Sequence, residues 1–88
     1  MTELTATVVN PLGLHARPAA QLVKLAHTFT SEIELSKDGV PVNGKSIMGV
    51  MILAAECGST LTIRATGADE EAAATALAVL VRSGFGES

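Results

Sequence analysis

From Thr2 to Val9 the chain alternates, with Leu4, Ala6 and Val8 on one side and Thr5, Thr7 and Val9 on the other. A period of two is that of a half-buried strand. Turn residues follow at Asn10, Pro11, Leu12 and Gly13. Pro18 suits a first helical turn, where its missing N–H would have no intrahelical partner anyway, so a helix begins near Ala16 or Arg17. Its inner stripe is Ala19, Leu22, Val23 and Ala26, at helical spacing, and it ends near His27. Glu32 to Lys37 and Val40 to Asn43 flank an Asp38-Gly39 pair, the signature of a two-residue hairpin in which both turn positions take positive φ. Pro41 lacks a ladder donor and puts the second of these strands at a sheet edge. Ile47 to Ala55 predicts a second, shorter helix ending before Gly58, with Gly49 a local weakness inside it. Ser59 to Thr66 alternates again, Leu61, Ile63 and Ala65 inward. Asp69 is placed to cap a third helix whose apolar stripe is Ala73, Ala76, Leu77 and Leu80 and which stops near Gly84.

The order β-α-β-β-α-β-α, with amphipathic helices and a half-polar sheet, predicts an α+β domain: a two-layer open-faced sandwich, with a four-stranded antiparallel sheet covered by three helices. At 88 residues, one domain spanning 1–88 is expected. Such a small chain has little room for a deep, water-excluded active site, so its chemistry is expected at the surface. Only Phe29 and Phe85 are aromatic, which leaves Ala, Val, Leu, Ile and Met to form the core.

Charge narrows the function classes. Net charge is −3, and the six basic residues are scattered from Arg17 to Arg82, which argues against nucleic-acid binding. The longest mainly apolar stretch, Ile47 to Ala55, is too short to span a bilayer as a helix. No secretory signal pattern precedes the first strand, and the lone Cys57 has no partner for an internal disulfide, so a cytoplasmic location is expected. Cys57 has no His or Cys at ligand spacing and is expected as a small residue near the core. Neither a metal nor a cofactor is expected.

His15 lies where a loop meets a helix. There a neutral imidazole nitrogen can act as a nucleophile, while the free N–H groups and positive dipole end of the helix favour a phosphoryl group and Arg17 can neutralise its oxygens. Taken alone, His15 also fits an ordinary surface or capping residue. Its context decides. Gly13-Leu14-His15-Ala16-Arg17-Pro18 resembles the phosphorylation-site motif of HPr proteins, the phosphocarriers of bacterial sugar phosphotransferase systems. Lys45-Ser46-Ile47-Met48-Gly49-Val50-Met51 resembles the regulatory segment of the same family, and the likeness runs from the first strand into the last helix.

The resemblance implies that His15 accepts a phosphoryl group on Nδ1 from phosphorylated enzyme I, with Arg17 assisting, and passes it to enzyme II A domains. Such a chain is a stoichiometric carrier, not an enzyme, and a monomer is expected. A carrier in a regulatory, nitrogen-linked or sugar-kinase-linked relay is the alternative. Ser46 has two readings: an N-cap of the second helix, or a regulatory phosphoserine made by an HPr kinase/phosphorylase and read by a carbon-catabolite regulator. Ile47, Met48 and Met51, together with Ala20, Gln21 and Lys24, form the implied docking face for partner proteins. His27 is expected as a cation at a helix C-terminus.

One motif points elsewhere. Gly39 to Ser46 fits G-x-x-x-x-G-K-S, but its Gly39 belongs to the hairpin turn and Val40-Pro41-Val42 to an edge strand, not to the loop after a parallel strand that nucleotide binding requires.

Overall fold

Alternation produces the strands where the sequence places it. The computed structural model describes residues 1–87 and contains β1 (Thr2–Thr7), α1 (Ala16–Ala26), β2 (Glu32–Lys37), β3 (Val40–Asn43), α2 (Ile47–Ile52), β4 (Thr60–Thr66) and α3 (Glu70–Arg82), followed by a 3₁₀ turn at Gly84–Gly86. The four strands form one antiparallel sheet in the order β1-β4-β2-β3, and the helices lie on one face of it, α3 against β1 and β4 and α1 beside α2 and α3. The expected α+β sandwich is therefore the observed architecture.

Asp38 (φ 52°) and Gly39 (φ 80°) both occupy the left-handed region, and Lys37 pairs with Val40, which closes the two-residue hairpin. β3 is the edge strand that Pro41 requires. Ala6, Val8, Ile33, Leu35, Leu61, Ile63 and Ala65 project from the sheet into the core and meet Ala19, Leu22, Val23 and Ala26 of α1. On the other face Arg64 reaches across two neighbouring strands to Glu3 and Glu34.

Several expectations need correction. Phe85 is buried in the core, with half-buried Phe29 packed against it, and none of the three methionines is buried, so the fully buried aromatic comes from the turn after α3. Cys57 is exposed, its thiol 3.7 Å from the Val9 carbonyl oxygen. β1 stops at Thr7 and β4 starts at Thr60. α2 is shorter than the apolar run: it ends at Ile52, Leu53 is its C-cap and Ala54 turns left-handed (φ 49°), while the Lys37 ammonium donates to the Leu53 and Ala54 carbonyl oxygens, each at 3.4 Å. A cation there satisfies carbonyls that a longer helix would have used.

In α3 the buried stripe is Ala73, Ala74, Leu77, Ala78 and Val81, rotated from the expected one because α3 packs on two strands at once; Ala76 and Leu80 are half-buried. Asp69 stands at the N-cap position of α3, yet its side chain makes no cap hydrogen bond. It accepts instead from Thr30 N–H and Ser31 N–H, both at 2.9 Å, and from the Ser31 hydroxyl. The Ser31 hydroxyl first, then the Thr30 N–H, hold this carboxyl well below its usual range, at about 2.

Candidate functional site

Two backbone features bring His15 to the surface in a defined place. Gly13 has φ 66° and lies so close to the segment after α2 that a Cβ would overlap the Ala55 carbonyl oxygen and approach Glu56 Cα to 2.8 Å. Immediately beyond it, Leu14 N–H donates to that same oxygen at 2.8 Å and the Leu14 side chain is buried. His15 is then the N-cap of α1 in an extended conformation (φ −74°, ψ −175°), its carbonyl accepting from Ala19 N–H at 3.0 Å. Its ring does no capping.

The His15 side chain is 36% exposed, and its Nε2 lies 3.0 and 3.1 Å from the two carboxylate oxygens of Glu87. Among the described residues, no hydrogen bond reaches Nδ1. Asn10 ties the arrangement together: it is 1% exposed, and its Nδ2 donates both to the Gly13 carbonyl oxygen (2.7 Å) and to Glu87 Oε1 (3.0 Å). Its Oδ1 is buried without a partner among the described residues. The hydrogen bond from His15, then that from Asn10, hold the Glu87 carboxyl below the usual range, and the charges of His15 and Arg17 act in the same direction.

Arg17 is exposed in the first turn of α1, next to a buried Pro18. The candidate docking residues divide as two helices lying side by side. Ala20 and Lys24 are exposed and Gln21 is half-buried on α1; Ile47 (46% exposed), Met48 (75%) and Met51 (44%) are on α2, and Ile52 (70%) extends the patch. Val50 and Leu53 anchor α2 beneath them. Leu12, 75% exposed in the loop before His15, adds apolar surface that its position among turn residues concealed.

Ser46 is the N-cap of α2, and its hydroxyl oxygen accepts from Gly49 N–H at 3.1 Å. His27 sits at the C-cap of α1, as expected, and its Nε2 donates to the Lys45 carbonyl oxygen at 3.0 Å. The Lys45 ammonium in turn donates to the Phe29 carbonyl oxygen at 2.9 Å. That commits the lysine of the nucleotide-like motif to structure, and residues 40–43 of the motif are strand β3.

Asn10 and Glu87 were not among the residues the sequence singled out. Asn10 reads as a turn residue, and Glu87 is 72 positions from the histidine it contacts. An open depression of about 620 Å³ lies elsewhere, over the β2–β3–β4 side of the sheet, with Glu32, Pro41, Lys45 and Arg64 in its wall. No helix of the described residues is long and apolar enough to cross a membrane.

Known proteins share the sequence and fold of this chain. Residues 2–83 match the family model described as the PTS HPr component phosphorylation site. The chain is 48% identical to the phosphocarrier protein HPr of Cupriavidus necator over 87 residues, 99% of this chain and 98% of the relative. The crystal structure of an HPr from Thermoanaerobacter tengcongensis superposes with a TM-score of 0.95 at 48% identity, covering 100% of this chain and 99% of the other. The Bacillus subtilis catabolite repression protein Crh, crystallised as a dimer with a swapped domain, is 45% identical with a TM-score of 0.77, covering 96% of this chain and 97% of that one. With an imidazole presented at a helix start inside the matched phosphorylation-site segment, this chain belongs to the HPr family of phosphotransferase-system phosphocarriers.

Proposed function

We propose that the chain, as one monomeric cytoplasmic domain, accepts a phosphoryl group on His15 from phosphorylated enzyme I and passes it to enzyme II A domains for sugar uptake. The observation that carries this reading is His15 itself: an N-cap residue whose ring is not used for capping and whose Nδ1 is unpartnered among the described residues, with Arg17 two positions on. The N–H groups of Ala16 and Arg17 precede the first helical hydrogen bond, which Ala19 N–H makes to His15. They and the dipole of α1 favour phosphoryl oxygens beside the ring. The Arg17 guanidinium adds a charge-assisted donor. One surface nucleophile of this kind suits a protein that is the substrate of larger enzymes, not an enzyme with a pocket of its own. Ser46 is the proposed regulatory site, phosphorylated by an HPr kinase/phosphorylase and recognised in that form by a carbon-catabolite regulator; the likeness to Crh supports that reading. It also favours a second reading, a carrier in a regulatory, nitrogen-linked or sugar-kinase-linked relay, which shares the His15 chemistry and differs in partners.

Incubation with phosphoenolpyruvate and enzyme I, followed by intact-mass measurement, tests the proposal. One acid-labile phosphoryl group is expected, absent without enzyme I and absent in His15→Ala. Acceptance by His15→Ala, or a label on His27, would refute it. Transfer to a sugar-specific A domain against transfer to a regulatory acceptor separates the two readings.

A further inference from the structure

The structure assigns His27 as a positioning residue for Ser46: from the end of α1 its ring holds the Lys45 carbonyl and so fixes the peptide that carries the serine. The inference rests on the reading of Ser46 as a phosphorylation site for its use, and on geometry for its existence.

The chain passes from β3 into α2 through Asn43, Gly44, Lys45 and Ser46, and each takes part in at least one hydrogen bond. Gly44 N–H donates to the Ile33 carbonyl oxygen at 2.8 Å, and a Cβ at this glycine would overlap the Ile33 side chain, so the turn lies close against β2. Lys45 N–H donates to Asn43 Oδ1 at 2.9 Å, and Ser46 N–H donates to the Asn43 carbonyl oxygen at 3.1 Å. The tie to α1 is a crossed pair. His27 Nε2 meets the Lys45 carbonyl oxygen at 3.0 Å, and the Lys45 ammonium donates to the Phe29 carbonyl oxygen at 2.9 Å. A carbonyl only accepts, so Nε2 carries the proton whether the ring is neutral or charged. The C=O that His27 holds and the N–H of Ser46 belong to one planar peptide, so fixing one end orients the other.

Ser46 leaves that peptide in an extended conformation (φ −116°, ψ 118°), and its Oγ accepts from Gly49 N–H at 3.1 Å. The peptide on one side and Gly49 on the other set the direction of the hydroxyl. A hydroxyl has two lone pairs and one proton. Gly49 takes one pair, the second is left for attack, and no bond among the described residues uses the proton. In transfer from a nucleoside triphosphate bound by a kinase, that second pair forms the O–P bond to the γ-phosphorus. The bond from phosphorus to the bridging oxygen breaks, its pair leaves with the nucleoside diphosphate, and the hydroxyl proton passes to a base of the kinase. Such an in-line displacement depends on alignment of the attacking oxygen, so a ring that fixes the serine peptide acts on the rate of transfer. His15 and His27 cap opposite ends of α1, which separates this role from acceptance at His15.

The test uses the full chain with His27→Phe, which keeps a ring and removes the donor, and His27→Gln, which keeps an N–H donor. With ATP and an HPr kinase/phosphorylase, kcat for Ser46 phosphorylation should fall about fivefold to tenfold in His27→Phe, with KM nearly unchanged. His27→Gln should recover part of the loss. Acceptance at His15 from enzyme I and Tm should stay near the parent's in both variants, because water replaces the exposed His27 at the Lys45 carbonyl. Hydrogen exchange of the Gly49 amide, which reports the hold on Ser46 Oγ, should quicken about fivefold in His27→Phe. Equal Ser46 phosphorylation in the parent and His27→Phe would overturn the inference, as would a loss at Ser46 matched by an equal loss at His15. If the kinase leaves the parent unmodified while Gly49 exchange depends on His27, the Ser46 reading falls and the positioning stands; if exchange is independent of His27, both fall.

Discussion

Adding a single methyl group at Gly13 tests whether the His15 loop is held by close backbone contact. In Gly13→Ala two costs combine. The first is the left-handed backbone (φ 66°), about 1–2 kcal/mol for a residue with a Cβ. The second is the overlap of that Cβ with the Ala55 carbonyl oxygen and Glu56 Cα, backbone atoms that cannot rotate away. Forcing extra atoms into such a site costs about 1–3 kcal/mol more. Gly39→Ala isolates the first cost, because Gly39 has φ 80° and nothing within 4 Å of a Cβ. Urea unfolding at 25 °C should therefore show a loss of about 1–2 kcal/mol for Gly39→Ala and about 2–5 kcal/mol for Gly13→Ala, at unchanged m. The larger figure is a substantial part of the 4–13 kcal/mol or so expected for a domain of this length. Function should divide the same way: under conditions where both variants are folded, Gly39→Ala accepts phosphate like the parent, and Gly13→Ala, whose Leu14 N–H must leave or drag the Ala55 oxygen, accepts it more slowly. Equal stability losses in the two variants would refute the close approach as the device that places His15.

Arg17→Ala should slow acceptance about tenfold to a hundredfold, the loss of a charge-assisted contact, while stability stays within about 0.5 kcal/mol because the side chain is exposed. A large fall in Tm with normal kinetics would reassign Arg17 to structure. Ser46→Asp keeps an N-cap acceptor for Gly49 N–H and adds a charge beside exposed Ile47 and Met48, so Tm should hold while KM for enzyme I rises; unchanged kinetics across salt concentrations would put Ser46 outside the docking face. The Asp69 carboxyl has its folded pKa lowered from 3.8 to about 2, so its stabilising contribution is full above pH 4 or so and is lost as pH falls through 2. Asp69→Asn should thus be less stable at neutral pH and show a shallower decline of Tm between pH 4 and 2; a decline parallel to the parent's would refute the assignment.

What could be read from the chain divides by distance along it. Alternation in residues 60–66 and the stripe at Ala19, Leu22, Val23 and Ala26 are local patterns imposed by burial, and both match the structure. The hairpin was legible for a similar reason, since Asp38-Gly39 carries its own backbone preference. The end of α2 was not legible, because the apolar run continues to Ala55 and the cation that receives the last carbonyls, Lys37, comes from β2. Nor was the bonding of Asp69: it stands at the N-cap of α3 as its composition suggests, but its carboxylate is drawn away by two N–H groups and a hydroxyl of residues 30 and 31. At the site, His15 and Arg17 stand in one short motif, whereas Glu87 lies beyond the family-matched segment and reaches His15 only through a turn in which Phe85 adopts a conformation its type disfavours.

These long-range contacts explain how so small a domain presents the His15 ring without enclosing it. Nothing deep surrounds His15; its position is set by the Asn10–Gly13 turn, the Ala55 carbonyl after α2 and the turn after α3, each anchored by a buried residue, Asn10, Leu14, Ala55 or Phe85. The anchors take one side of the histidine and leave the other open, with exposed Leu12 and Arg17 near it in sequence and the exposed residues of α1 and α2 extending the same helical layer. A carrier must be recognised in turn by proteins that give and proteins that take, and a ring oriented from behind can serve both without rearrangement. On the proposed carrier reading the adaptable part is the rim, where Met48 and Met51 are exposed and methionine is an unbranched, adaptable side chain, and not the ring itself.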